Sequence, residues 1–207
     1  PGLKELMREA GVKRLDTEAI GFQIGPRLNA AGRMETAEKA LELVRAEKKT
    51  LAAKLALELE ELNSQRKKQQ ADALEEIRQK GVGEEPVIVV EGGWHEGVLG
   101  IIAGRLVEEY RKPAFVLAEV DGAYKGSGRS FGEFNLAEAL TVCGQYIIGG
   151  GGHAAACGVK VAKDKLGKFR EAVNEYYRGL KLENQERFLG VQEDLMAEEF
   201  EELSLEL

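Results

Sequence analysis

The 207-residue sequence predicts an α/β architecture, a long connecting helix followed by a compact βαββαβα domain with a mixed sheet. Three observations carry that prediction. Residues 36–80 run without a proline or glycine and hold a leucine stripe at spacings of four, four and three (Leu51, Leu55, Leu59, Leu62), the pattern of a half-buried helix. Val87-Ile88-Val89-Val90 is a short, wholly apolar run, as expected of a strand covered on both faces. Beyond it, apolar runs and helical stripes alternate up to Leu180, separated by glycine-rich polar turns, which implies layers of helices on a sheet.

Taken in order, residues 1–15 predict a short amphipathic helix with Leu3, Leu6 and Met7 on one side and Gly11 as its stop. The segment Ile24-Gly25-Pro26-Arg27-Leu28-Asn29-Ala30-Ala31-Gly32-Arg33-Met34 reads as an ordered turn rather than a regular element, from its glycine, proline and asparagine. Thr36 is a candidate N-cap for the long helix or pair of helices that follows. If continuous to Lys80, that element would span roughly 65–70 Å at 1.5 Å per residue. Asn63 to Gln70 is polar on all sides, the composition of a segment that bridges domains through solvent. Gly81 and Gly83 end it. Gly97 to Arg111 predicts a helix, with Gly100 and Gly104 on one stripe for close packing on the sheet. Pro113 to Ala118 is the next strand, and Asp121-Gly122 signals a hairpin into a third strand around Tyr124 to Ser130. Asn135-Leu136-Ala137-Glu138 is a capping-box variant that opens a helix to about Gln145. A glycine loop follows, then a fourth strand over Cys157 to Val161 and an amphipathic helix over Lys165 to Tyr177 carrying Leu166, Phe169 and Val173. Phe188 to Gln192 reads as a strand of a further domain. The expected divisions are 1–35, 36–83, 84–181 and 182–207.

The net charge of −7 argues against nucleic acid only until its distribution is read. Glu183 to Leu207 holds nine acidic residues and one basic one, a balance of −8, which leaves +1 for the rest. A near-neutral body can concentrate positive potential at a cleft. No run of about 18 apolar residues suggests a membrane helix, and the first residues lack the regions of a signal peptide. The absence of an initiator methionine suggests a piece of a longer protein. Cys143 and Cys157 have neither metal nor disulfide spacing; Cys143 reads as a small core residue, Cys157 stands where any small residue could follow the glycine turn, and a reducing cytoplasm fits both.

Three turns of the compact domain share a glycine-relieved polar composition. Glu91 to Gly97, with Trp94 and His95, sits between a strand and a helix, where α/β sheets bind ligands and helix N-termini meet anions. In Lys125-Gly126-Ser127-Gly128-Arg129-Ser130, period-two alternation puts Lys125, Ser127 and Arg129 on one face. Two cations and a hydroxyl there suit a phosphate. Gly149-Gly150-Gly151-Gly152-His153 leaves the backbone bare and free to take φ > 0; it is either a flexible loop or an anion-binding nest. Arg27 and Arg33 are either a phosphate clamp or structural ion pairs. Trp94 is either a base-stacking platform or core. Two histidines and no aspartate cluster cannot assemble a metal-dependent phosphodiesterase centre. The residues alone therefore point to the phosphate- or nucleic-acid-binding half of something larger.

The motifs Ile24–Met34, Trp94–Arg105, Lys125–Ser130 and Gly150–Gly158 stand in the order found in the RecJ family of single-strand-specific exonucleases, within the DHH phosphoesterase superfamily, and the sequence resembles that family from about Ile20 to Leu180. The GGGH turn alone is less specific, because it marks the DHH-associated domain of several enzymes. The resemblance implies a two-lobed 5′-to-3′ nuclease of DNA repair and recombination, whose missing N-terminal lobe holds Mg²⁺ or Mn²⁺ and whose connecting helix leads to this substrate-binding domain. The acidic end would then open a following OB-like domain. By position, the resemblance gives Arg27 and Arg33 to DNA phosphates, Ser127 and Arg129 to the 5′-terminal phosphate with Lys125 in support, and Ser130, Trp94 and His95 to the same wall. It gives His153 a catalytic, phosphate-orienting role, with Gly150, Gly151 and Gly152 as close-approach backbone. The implied partner is single-stranded DNA, with single-strand-binding protein or a helicase in repair, and a monomer is expected. No metal ligand falls in this chain, and alone it is expected to hydrolyse nothing. The alternatives are the substrate lobe of an oligoribonuclease or nucleotide phosphatase of the same superfamily, and an inactive replication-associated binding module.

Overall fold

The computed structural model describes residues 1–182, so the expected strand at 188–192 and the acidic segment from 183 onward lie outside the described residues. Four helices come first: α1 (Gly2–Glu9), α2 (Gly25–Met34), α3 (Glu38–Arg45) and α4 (Lys49–Lys80). Then follow β1 (Ile88–Gly92), α5 (Leu99–Tyr110), β2 (Ala114–Val120), β3 (Ala123–Arg129), α6 (Leu136–Val142), β4 (Ile147–Gly152), β5 (Ala156–Ala162) and α7 (Leu166–Gly179). The sheet is mixed, as predicted. Its spatial order is β1, β2, β3, β5, β4, with β1 and β2 parallel and every other pair antiparallel.

Several local expectations are corrected. The Gly25–Met34 motif is a helix, not a turn. Asp16 starts the preceding turns, its Oδ1 accepting from the Ala19 amide at 2.8 Å, and Ala19–Ile24 form a wide π-turn in which the Gly25 amide reaches back to the Ile20 carbonyl. That extra width accommodates Pro26, which follows in a helical backbone unbroken from residue 17 to Met34 and would otherwise crowd the preceding turn. Of the two readings left open for residues 36–80, one long helix or a pair, the pair is found, because Ala46 and Lys48 take extended backbone between α3 and α4. The 32 residues of α4 are about 48 Å long. Leu3 and Leu51, assigned to buried stripes, are 46% and 45% exposed.

What α4 buries explains its length. Leu55, Leu59 and Leu62 pack with Leu6, Ile24 and Leu43 of the N-terminal helices. The stripe, which fades at Asn63, resumes nearly three turns later: Ala73, Leu74 and Ile77 join Ile102 and Leu106 of α5 and Ile88 and Val116 of the sheet. One helix therefore spans two cores. The other face of the sheet buries Val89, Phe115, Leu117 and Val159 against Phe169 and Val173 of α7 and Leu140 of α6. Phe115 and Phe169 meet edge to face, with ring centroids 5.3 Å apart. Cys143 and Cys157 belong to this second face. Burial pushes both thiols up to about 11, which keeps them protonated and inert near neutrality.

Capping and hairpin signals are realised as read. Asn135 Oδ1 accepts from the Ala137 and Glu138 amides at 3.0 and 3.3 Å, and its Nδ2 donates to Glu138 at 2.8 Å. Asp121 and Gly122, with φ of 51° and 75°, turn β2 into β3. The edge strand β1 is anchored by a device with no sequence signal: buried Asn174 accepts from the Val87 amide at 2.8 Å and donates to its carbonyl at 3.2 Å. The Gly100/Gly104 stripe is half right. A Cβ on Gly100 would lie 2.8 Å from Arg129 Nη2, whereas one on Gly104 meets nothing within 4 Å. Gly104→Ala is accordingly expected to stabilise the fold by about 0.5–1 kcal/mol, read as a higher denaturant midpoint at unchanged slope.

Candidate functional site

The residues between Ile147 and Gly152 overturn the reading of a glycine loop. They form edge strand β4, paired antiparallel with β5 from Gly149 to Gly152 after a bulge at Ile148, so the sheet has five strands where four were expected. Among the four glycines only Gly152, at φ 154°, has a backbone that disfavours a side chain. Their shared value is bareness. A Cβ on Gly150 would sit 2.8 Å from the Gly158 carbonyl, while Gly149 and Gly151 have open space above them.

Alternation then decides which side chains meet. Gly126 and Gly128 of β3 lie on the α7 face, where a Cβ would come 2.7 Å from Leu117 Cγ and 2.6 Å from Cys157 Sγ. Lys125, Ser127 and Arg129 lie on the opposite face, as predicted. Ser127 is paired with Gly158 and Lys125 with Lys160, while Gly151 and Gly149 continue those two rows onto β4. Helix α5 covers β1 to β3 on this face, through Ile88, Val116 and Ala118. The β5–β4 end beyond it is an open glycine floor. Over that floor lies a cavity of about 880 Å³, walled by Lys125, Ser127 and Lys160 on the sheet, His95 and Glu96 before α5, and Arg33 at the end of α2.

Two details give the cavity its character. Lys125 and Lys160 are directly opposite each other in the ladder, an arrangement that destabilises a sheet through like-charge repulsion. Lys125 is 3.4 Å from Glu96, an exposed pair of small energetic weight, and among the described residues Lys160 makes no ion pair. An anion on the floor would meet both ammonium groups. His95 Nδ1 accepts from the Gly97 amide at 3.1 Å, which leaves Nε2 as the protonated, donating nitrogen of the neutral ring.

The second detail is a joint. Arg33 Nη1 donates to the Gly97 carbonyl at 3.2 Å, and a Cβ on Gly97 would overlap the Arg33 carbonyl. The end of α2 and the start of the α5 turn thus interlock at the cavity's rim.

Other predicted site residues are elsewhere or engaged. Arg27, its side chain 12% exposed, pairs with Glu60 and donates to the Gln23 carbonyl at 2.7 Å. The ion-pair alternative holds for it, and six residues of helix separate its face from that of Arg33. Trp94 packs against the α4–α5 core, and its indole N–H donates to Glu76 at 2.8 Å; Lys80 first, and the indole second, hold the Glu76 carboxyl below the usual range. The Ser130 hydroxyl donates to the Phe134 carbonyl. Arg129 lies beside Gly100, outside the cavity lining, and its Nη1 donates to the Gly128 carbonyl at 2.8 Å. His153 stands on the exposed turn between β4 and β5, its amide bonded to the Ala156 carbonyl at 2.9 Å, outside the cavity lining. Gly150 and Gly151 line the floor, and Gly152 ends it. Sequence reading missed Lys160, although the alternation Cys157-Gly158-Val159-Lys160-Val161 already put Lys160 on the face of Gly158.

Among the described residues, no group of three or more His, Cys, Asp or Glu side chains is placed to hold a metal ion. The donors present do not fit a divalent-metal centre, so no step through a metal is derived from them. No helix among these residues is long and apolar enough to cross a membrane.

Residues 84–179, which include the five-stranded sheet and its glycine floor, match the DHHA1 domain family. The chain is a homologue of the RecJ exonucleases. It is 38% identical over 200 residues to the single-stranded-DNA-specific exonuclease RecJ of Bacillus subtilis (strain 168), an alignment covering 93% of this chain and 25% of that protein. Crystal structures of RecJ from Thermus thermophilus superpose on it with TM-scores of 0.85 for the Mn²⁺ complex and 0.80 for the Mg²⁺ complex. Their identities are 30% and 31%, covering 99% and 86% of this chain and 31% and 28% of those. The chain thus spans about a quarter to a third of the length of these three relatives.

Proposed function

We propose that this chain is the substrate-gripping part of a 5′-to-3′ single-stranded-DNA exonuclease, and that the glycine-floored cavity receives the phosphates at the 5′ end of the strand. The observation that carries this reading is the opposition of Lys125 and Lys160 above bare backbone, with Ser127 beside them. Glycines let the phosphodiester chain approach the sheet within van der Waals distance. The two ammonium groups supply sequence-independent attraction, and the Ser127 hydroxyl and His95 Nε2–H supply directed donors. Arg129 extends the donor row toward α5. Nothing in this arrangement reads a base edge, which suits an enzyme that must accept any sequence.

Under this reading the ligands of the Mg²⁺ or Mn²⁺ ions belong to the rest of the parent protein, α4 joins the two parts, and the isolated chain releases no nucleotides from DNA. His153, projecting from the β4–β5 turn, faces that metal-bearing part and orients the scissile phosphate. His153→Ala in the full-length protein is expected to lower nuclease activity by on the order of 100-fold through misplacement of the phosphate. The melting temperature should not move, since only the His153 backbone is bonded. Near-normal rates on long single strands would overturn this placement.

A further inference from the structure

We propose that Arg66, in the middle of α4, is a phosphate-contacting residue that continues the strand's path from the glycine floor, past Arg33, onto the helix. The inference deepens the single-stranded-DNA reading above and rests on it. Residues 62–71 of α4 contain no acid and carry Arg66, Lys67 and Lys68 in succession, whereas both flanks are rich in glutamate. This is the stretch whose polarity suggested nothing more than a bridge through solvent.

The side-chain geometry is more specific than a solvated bridge requires. Arg66 is half-buried, and its guanidinium is fixed by two neutral amides. Nε and Nη2 donate to Asn63 Oδ1 at 3.3 and 3.1 Å, and Nη1 donates to Gln70 Oε1 at 3.2 Å. Asn63 is 0% exposed, so packing holds the strut that aims the arginine. Arg27, Arg78 and Arg170 each meet a carboxylate; among the described residues Arg66 meets none. The charge that acts on it is another cation. Burial first, and the Arg33 guanidinium second, lower its pKa. Two guanidinium groups that repel each other, one of them half-buried and neither paired with a carboxylate, are costly alone and become favourable once an anion bridges them. A phosphate oxygen pair is the natural occupant, because the guanidinium fork matches it bidentately. Arg33 already walls the cavity, so the two sites share a residue and form one track.

The test is anisotropy titration of a 5′-phosphorylated oligothymidylate with the full 207-residue chain, repeated from about 50 to 200 mM salt. Arg66→Gln is expected to weaken binding roughly 5- to 20-fold and to flatten the plot of log affinity against log salt by about 0.7, one phosphate contact on a single strand. Arg66→Lys should keep the slope and recover only part of the affinity, since a point charge replaces a fork. A purely structural lesion would lower affinity without changing the slope. Lys160→Gln serves as the internal comparison. If it flattens the slope and Arg66→Gln does not, the Arg66 inference alone is overturned. If neither does, or the unmodified chain fails to bind, the cavity reading falls and takes the inference with it.

Discussion

Gly97→Ala is expected to open the joint between α2 and the sheet, with loss of both stability and affinity for single-stranded DNA. The added methyl would overlap the Arg33 carbonyl, which is backbone and cannot swing aside as a side-chain tip would. Relief requires α2 to move away from the turn before α5, and that movement breaks the Arg33–Gly97 hydrogen bond. Overpacking of this kind costs about 1–3 kcal/mol, and the rigidity of the obstacle puts this site at the upper end. For a chain of this size the melting temperature should fall by roughly 5–10 °C. The functional loss is separate from that. Arg33 supplies one wall of the cavity from α2, while the floor comes from β4 and β5, so a shifted α2 leaves the floor without its far wall. Gly93→Ala, four residues away, is the control: a Cβ there meets nothing within 4 Å. Equal melting temperature and affinity for the Gly97 and Gly93 variants would show that the joint is dispensable.

That joint also marks where sequence reading stops. Alternation along Lys125 to Arg129 identified the correct face because period two is a local property of any strand. The capping box at Asn135 and the Asp121-Gly122 hairpin are equally local, and the structure realises both. Gly97 was legible only as a member of a polar turn. Its requirement is set by Arg33, 64 residues earlier, and no spacing rule connects the two. The glycine run failed for a different reason. Four glycines carry no hydrophobic alternation, so the signal that announces a strand is missing even though all four pair with β5. Pro26 misled in the opposite direction: proline and glycine usually punctuate, yet here they follow a widened π-turn inside a continuous helical backbone, and that width makes room for the ring. In α4 the leucine stripe was read to Leu62 and its return at Ala73 was not, because nearly three polar turns separate the halves. Those turns are where Asn63 and Arg66 sit, and under the proposed track their polarity reflects a site rather than mere exposure to solvent.

Removal of both opposed lysines, by Lys125→Gln with Lys160→Gln, is expected to separate stability from function more cleanly than any other change. Direct opposition of like charges in an antiparallel pair is unfavourable by a few tenths of a kcal/mol up to about 1 kcal/mol. The exposed Lys125–Glu96 contact returns little of that at 3.4 Å. The double variant should therefore melt at the original temperature or slightly above it. Its affinity for a 5′-phosphorylated single strand should fall by about 10- to 100-fold at low salt, and the salt slope should flatten by about 1.4, twice the single-contact value. Both single variants should show about half of that slope change. Additivity is not assured for two groups that share one ligand, and the sign of the departure is informative. If one phosphate bridges both ammonium groups, the first removal costs more than the second. A double variant that binds like the original chain would mean that the repulsion serves no ligand, and the glycine floor would lose its claim to be the substrate site.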